Sequence, residues 1–327
     1  MHMSCSVLEN PFCLDSRKPD PVESPYHQPV LVREVLSFLQ PLAGRTFLDG
    51  TLGGGGHTES LLEGGAHVVA IDQDVEAIAH AGARLAHFGT RFQSIEGNFA
   101  DATRLLDGAG IVNLHGALLD LGVSSHQLDD GSRGFSFRFD GPLDMRMSPK
   151  IRRSAADWVN EESTRELSRI FLEYGEEPRA CQIAQQIARA REKAPILTTT
   201  DLLRALESIL PRHSSRHPAT RVFMALRIAV NDELGVLSRG LEAITERLSP
   251  GAHFAVITFH SLEDRIVKNF FKDRSREWLD RPEWPAPRRN PECFFRLLTA
   301  RPIEAAAEEV HSNPRARSAK LRVAERL

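Results

Sequence analysis

Three aspartates close three apolar runs: "RTFLD" ends at Asp49, "AHVVAID" at Asp72 and "LHGALLD" at Asp120. Between the first two lie four consecutive glycines, Gly53 to Gly56, followed by His57 and Thr58. A glycine-rich turn after a strand lets the backbone approach a ligand closely, and the helix behind it supplies N–H donors. The turn ends Gly-His-Thr rather than Gly-Lys-Ser/Thr, which excludes a P-loop. Asp49 stands where the run meets the turn and is expected to point negative charge into the crevice, repelling a pyrophosphate and attracting an ammonium and a sulfonium. Asp72 occupies the usual place of a carboxylate that accepts ribose hydroxyls. Asp120 would face the methyl-bearing end of S-adenosylmethionine. That ligand suits the acids best; a dinucleotide, or a turn that serves packing alone, stays open on residue chemistry.

The elements that must position these acids follow from periodicity. Val30, Leu31, Val35, Leu36 and Leu39 have helical spacing, ended by Pro41. Strands are expected at "RTFLDGTL", "AHVVAIDQD", "RFQSIEGNF", "LHGALLDLGVSS" and "AHFAVITFHSLED", with helices at "TESLLEGG" and "VEAIAHAGARLAHF". Near-continuous apolar strands alternating with helices describe a doubly wound α/β sheet, with ligands at the carboxyl ends of its strands. The alternation breaks at a Gly-, Phe- and Arg-rich loop over 129–150, and helices alone follow to about 217. Ser163-x-x-Glu166 predicts a capping box. "ATRVFMALRIAVNDELGVLSRGLEAITERL" predicts one long amphipathic helix stopped by "SPG", and "CFFRLL" and "AKLRVAERL" predict closing strands.

The domain expectation is therefore a disordered extension over 1–25, a discontinuous sheet domain over 26–128 and 218–327, and an inserted all-helical, substrate-recognition domain over 129–217. A length of 327 residues allows two domains, and a net charge of -3 does not announce a nucleic-acid binder. Four cysteines without CxxC spacing fit a reducing compartment, and no His/Cys cluster has metal-ligand spacing. With no signal-peptide pattern and no apolar run near 20 residues, the expectation is a soluble cytoplasmic protein. No heptad pattern decides between monomer and homodimer.

Long ordered stretches carry a family resemblance: "HQPVLVREVL", "LDGTLGGGGHT", "AIDQDVEAI", "LLDLGVSSHQLDDGSRGFSFRFDGPLDMRM", "HPATRVFMALRIAVNDEL", "ITFHSLEDRIVKNFF" and "NPRARSAKLRVAER". From about residue 27 onward the chain resembles the bacterial ribosomal RNA small-subunit methyltransferase H family, which methylates N4 of a cytidine in the decoding region of small-subunit rRNA. The resemblance implies a class I (Rossmann-like) methyltransferase sheet with an inserted all-helical domain, S-adenosylmethionine as cofactor, and small-subunit rRNA as partner, in an assembled or nearly assembled subunit. It also implies cofactor contacts at Gly55, Gly56, His57, Asp72, Phe99, Asp120 and Gln127, to which the residue reading adds Asp49 and Gly53. His126 departs from the proline that many relatives have before the Gln.

The chemistry expected is direct methyl transfer to an exocyclic amine whose lone pair is delocalised into the ring. Accepting its N–H hydrogens restores electron density on nitrogen. Asp120 is the first candidate; His260 and Ser261, after the fifth strand, are further catalytic candidates, His260 alternatively a structural histidine at a strand end. A turned-out base needs a platform, for which Phe135, Phe137 or Phe139 could serve if they line one side of an extended segment. Arg133, Arg138, Asp144 and Arg146 complete the substrate candidates. Two basic runs, Arg133 to Arg153 and Arg315 to Arg326, are candidate phosphate contacts hidden within the net charge. The same residues leave room for a methyltransferase of this fold acting on DNA or another RNA, and for a non-catalytic ribosome-assembly protein that retains the cofactor.

Overall fold

The computed structural model describes residues 29–209, 217, 219–280 and 282–327. The expected N-terminal extension lies outside the described residues. In chain order the elements are α1 (Val32–Leu39), β1 (Thr46–Asp49), α2 (Gly56–Glu63), β2 (His67–Asp72), α3 (Val75–Leu85), β3 (Phe92–Glu96), α4 (Ala102–Gly108), β4 (Leu114–Asp120) and α5 (Ser125–Asp129). A helical module follows: α6 (Ala155–Glu161), α7 (Thr164–Glu173), α8 (Ala180–Arg191), α9 (Thr199–Leu206) and α10 (Thr220–Asn231). The chain then returns through α11 (Glu233–Thr245), β5 (Leu248–Thr258), α12 (Ser261–Asp273), β6 (Trp278–Leu279), β7 (Arg288–Arg289), β8 (Phe295–Leu297), β9 (Ile303–Glu304), α13 (Ala307–Ser312) and β10 (Lys320–Arg326).

The main sheet runs β3-β2-β1-β4-β5-β10-β8, with β9 beside β10. β1 to β5 are mutually parallel and β10 is antiparallel to β5. Strand order reverses between β1 and β4, so the crevice at their carboxyl ends is where this Rossmann-like α/β fold places a ligand. The apolar runs feed both faces. On β2, Val68 and Ala70 join the cluster under α1 and α2, while Val69 and Ile71 join the cluster under α4 and α11. On β5, Ala255 and Ile257 face the first cluster, and Phe254 and Val256 the second. Alternation of side chains on strands covered on both sides explains why these segments are apolar throughout.

Three expectations change. The long helix over 219–248 is two helices, broken at Asp232 with φ 49°. α10 buries Val222, Leu226 and Val230 in the helical cluster, whereas α11 buries Leu237, Leu241 and Ile244 against the sheet. One straight helix could not serve both cores, and the boundary drawn at 217/218 separates α10 from the helices it packs with. Next, "SPG" does not end a helix. Ser249, Pro250 and Gly251 lie inside β5, where the pairing with β4 shifts register and Gly251 takes φ 79°. Finally, Ser163 caps α7 by accepting the Glu166 N–H at 3.1 Å, but the Glu166 carboxylate turns to Arg169 instead of closing the box. Complete boxes form at Ser154 with Asp157 and at Thr198 with Asp201.

Glycines give a sharp contrast. A Cβ on Gly240 of α11 would stand 2.2 Å from the ring of Phe99, whereas a Cβ on Gly82 of α3 would meet nothing within 4 Å. Gly240→Ala should therefore cost about 1–3 kcal/mol through overpacking, and Gly82→Ala should stabilise by roughly 0.5–1 kcal/mol through helix propensity. Urea denaturation of the two variants reads both signs; equal midpoints would contradict this packing of α11.

Candidate functional site

The glycine loop is held from below. Asp49 is 1% exposed. Its Oδ2 accepts the Thr58 hydroxyl at 2.7 Å and its Oδ1 the Thr51 N–H at 3.1 Å. Asp49 therefore does not point into the crevice, as its place in the sequence suggested; it braces the loop from beneath, and burial pushes its carboxyl above the usual range while Thr58 and His57 act the other way. Gly55, with φ 78°, also faces away: a Cβ there would meet Leu85 at 3.0 Å and Ala81 at 3.2 Å, so this glycine serves the close packing of the loop on α3.

Above the loop lies a cleft, partly open to solvent, lined by Gly53, Gly56, His57, Asp72, Phe99, Asp120 and Gln127 among the expected residues. Asp72 Oδ2 accepts the Gly53 N–H at 2.8 Å, and Oδ1 accepts the Asp74 N–H at 2.9 Å. Burial raises its pKa from 3.8 to about 6. A carboxylate has about four acceptor positions, so Asp72 retains room for two hydroxyls. Gly53, at φ 48°, has open space where a Cβ would stand, with Thr51 O nearest at 3.9 Å. Ala77, Phe99, Leu121, Val236 and Leu237 add apolar wall. Two hydroxyl positions on an acid, an open glycine and an apolar slot fit the nucleoside part of S-adenosylmethionine.

Asp120 closes β4, its N–H donating to Thr51 Oγ1 at 2.6 Å. Its Oδ2 lies 3.4 Å from His57 Nε2, and both side chains are buried. Burial alone would lower the proton affinity of His57; the adjacent Asp120 carboxylate and the charges of Asp49 and Glu309 outweigh it, and the net direction is upward.

Gln127 lines the cleft, but the protein uses both ends of its amide. Oε1 accepts the Ser124 N–H at 3.0 Å, and Nε2 donates to Asp74 Oδ2 at 2.7 Å. The capping box of α5 is intact with His126 in place, and His126 itself faces Glu76 at 3.4 Å. Asp74, passed over in the sequence, is an anchor: 4% exposed, it also takes Arg133 Nη2 at 3.0 Å.

The substrate candidates are mostly committed to scaffold. Arg133 bridges Asp74 and Glu76; Arg146 and Asp144 form a two-pronged pair with each other. Phe135 is buried in the helical core, and Phe137 packs on it, with its ring 5.1 Å from that of Phe223. The segment bends rather than extends, so the three phenylalanines do not form one platform; Phe139 alone remains exposed, beside exposed Arg138. The basic runs are largely paired, Lys150 to Glu96, Arg153 to Glu161 and Glu162, Arg315 to Asp129 and Arg322 to Asp264.

His260 and Ser261 stand outside the lining. His260 caps α12 through the Glu263 N–H at 3.4 Å, the structural role left open for it. Ser261 donates to Glu176 Oε2 at 2.9 Å, tying α12 to the helical module. Glu233, His260 and Glu263 bring possible metal-ligand atoms within 4.8 Å. Arg227, however, takes both oxygens of Glu233 at 2.7 and 2.8 Å, so the group is an ion-pair network. The His260 hydrogen bond and the Arg227 charge hold Glu263 below its usual pKa against the opposing effect of burial.

Asn231, which the sequence reading missed, shapes the opposite wall. It is 5% exposed, accepts the Met147 N–H at 2.9 Å, and donates to Met145 O and Arg227 O, each at 2.8 Å. Its only sequence signal was a polar residue on an otherwise apolar face of a predicted helix. Asn231→Ala would strand these groups and should cost roughly 1–3 kcal/mol. An unfolding free energy from urea titration within about 0.3 kcal/mol of wild type would contradict that role.

The chain matches the family described as MraW methylase over residues 24–327. A protein named ribosomal RNA small subunit methyltransferase H from Trichlorobacter lovleyi is 49% identical over 312 residues, covering 94% of this chain and 100% of that one. Proteins of the same name from Anaeromyxobacter dehalogenans and Geobacter sulfurreducens are each 47% identical, covering 92% of this chain and 98% and 99% of their own. Similarity of this extent, from residue 24 to the last strand, makes the chain a member of the MraW methylase family.

Proposed function

We propose that this protein transfers a methyl group from S-adenosylmethionine to the N4 amine of a cytidine in the decoding region of small-subunit ribosomal RNA, within an assembled or nearly assembled subunit in the cytoplasm. The observation that carries the reading is the buried Asp120–His57 pair at the topological switch point, in one cleft with Asp72 and the glycine loop. Family membership and the names of the relatives support methyl transfer to rRNA; the N4 position is what the family resemblance of the sequence implies, and a carboxylate at Asp120 suits an amine acceptor. Bound in the cleft, the cofactor supplies an electrophilic methyl group. Gly53 and Gly56 give it backbone access, Asp72 takes its hydroxyls, and Phe99 and Leu237 exclude water. Asp120 accepts an N–H of the cytosine amine, which returns electron density to nitrogen and receives the proton that nitrogen must shed on alkylation. Exposed Phe139 and Arg138 are the remaining candidates for RNA contact from the original set.

Labelled cofactor incubated with small subunits, naked rRNA or DNA, followed by digestion to nucleosides, should place label in N4-methylcytidine from the subunit; label elsewhere overturns the assignment. Asp120→Ala should lower turnover at least about 100-fold, a larger effect than the loss of its buried pairing with His57 has on stability, and undiminished turnover would remove Asp120 from the site. Asp72 has a pH signature. Its folded-state pKa of about 6 lies above 3.8, so its ionisation costs the free protein stability at neutral pH, a cost absent below about pH 4. Ligand affinity runs the other way, because the hydroxyl acceptor is the carboxylate. Calorimetry should show cofactor affinity falling about tenfold from pH 7 to pH 5, and Asp72→Asn should flatten that profile.

A further inference from the structure

We propose that His57 is the positioning residue for Asp120: it holds the carboxylate charged and oriented as the hydrogen-bond and proton acceptor for the amine. This rests on the reading of Asp120 given above. His57 is the second residue of α2, 6% exposed, with Nε2 3.4 Å from Asp120 Oδ2. Neither partner is free to drift. Asp120 is pinned through its own N–H by Thr51 Oγ1 at 2.6 Å. The loop before His57 is locked at Gly56, where a Cβ would stand 2.7 Å from Pro29, and by Thr58 on Asp49.

The charges around the imidazole are all negative: Asp49 from β1, Asp120 from β4 and Glu309 from α13, the last fixed by the Leu31 N–H at 2.7 Å. A buried carboxylate with no cation beside it takes up a proton and can no longer accept one from substrate. The imidazolium prevents this. As the N–C bond forms and the S–C bond breaks, one N4 proton leaves; Asp120 takes it and becomes the acid, with His57 still cationic, and the proton passes to solvent when the product departs. His57 itself exchanges no atom with the substrate.

The test has two arms. In the cofactor-free protein, 15N NMR of the His57 ring should show its titration midpoint falling by at least about one unit in Asp120→Asn, a tenfold loss of proton affinity. An unchanged midpoint overturns the proposal. This arm needs no substrate, so it stands or falls independently of whether N4-methylcytidine is the product. For catalysis, His57→Gln keeps a hydrogen-bond donor and removes the titratable cation. The acidic limb of its pH–rate profile should move to higher pH, with KM for S-adenosylmethionine changed far less than kcat. A uniform loss across pH with the limb unmoved would reduce His57 to a packing role and overturn the proposal as well.

Discussion

One buried carboxylate sets the geometry of the cleft. Asp49 holds Thr58 at the start of α2 and the Thr51 N–H in the loop, and the Thr51 hydroxyl in turn receives the N–H of Asp120. Two parallel strands and a helix are thus joined through three short hydrogen bonds beneath the glycines. Burying a carboxylate is costly unless its acceptors are satisfied, and here they are satisfied by the groups whose positions matter. The loop can therefore be glycine-rich, with open space at Gly53, without collapsing. Asp72 and Asp120 end up along the same edge because β2 and β4, which carry them, are neighbours of β1, and His57 joins them from the start of α2.

The helical module is attached at that same edge. It leaves the sheet domain through the 129–150 segment and returns through Asp232, and Asn231 ties the outgoing Met145 and Met147 to the incoming helix. Asp74 performs the corresponding task on the other side, gathering Gln127 and Arg133. Two buried polar residues, each with its hydrogen-bonding groups in use, thereby fix where the module begins and ends. Residues that a linear reading assigns to cofactor or RNA, Gln127, Arg133, Arg146 and Phe135 among them, are the fabric of this junction.

The sheet and its acids were legible because a strand covered on both faces must be apolar along its length, and an acid at its end is a visible interruption. Asp72 and Asp120 reach the cleft for that reason. Asp49 looked identical in sequence; only the proximity of Thr58 across the loop decides that its charge is spent on the fold. The break at Asp232 was illegible because Asn-Asp-Glu contains no glycine or proline, and its cause is tertiary, two cores that one straight helix cannot reach. The three phenylalanines at 135, 137 and 139 alternate as an extended strand would, but the bend of the segment sends the first two inward. Pairwise facts such as Asn231 on Met147, 84 residues apart, have no local signature at all.

The paired arginines have a consequence for how a polyanion would be held. Free cations that neutralise phosphates release condensed counterions, and affinity then falls steeply as salt rises. Arg133, Arg146, Arg153, Arg315 and Arg322 already carry carboxylate partners. A phosphate reaching them exchanges one anion for another, with a protein carboxylate as the displaced ion. Only groups such as Arg138, Arg152 and Arg317, exposed and without an ion pair among the described residues, contribute the full entropic gain. A nucleic acid on such a surface would be gripped through a few sites and read by fit at the remainder, with a hold comparatively insensitive to the ionic surroundings.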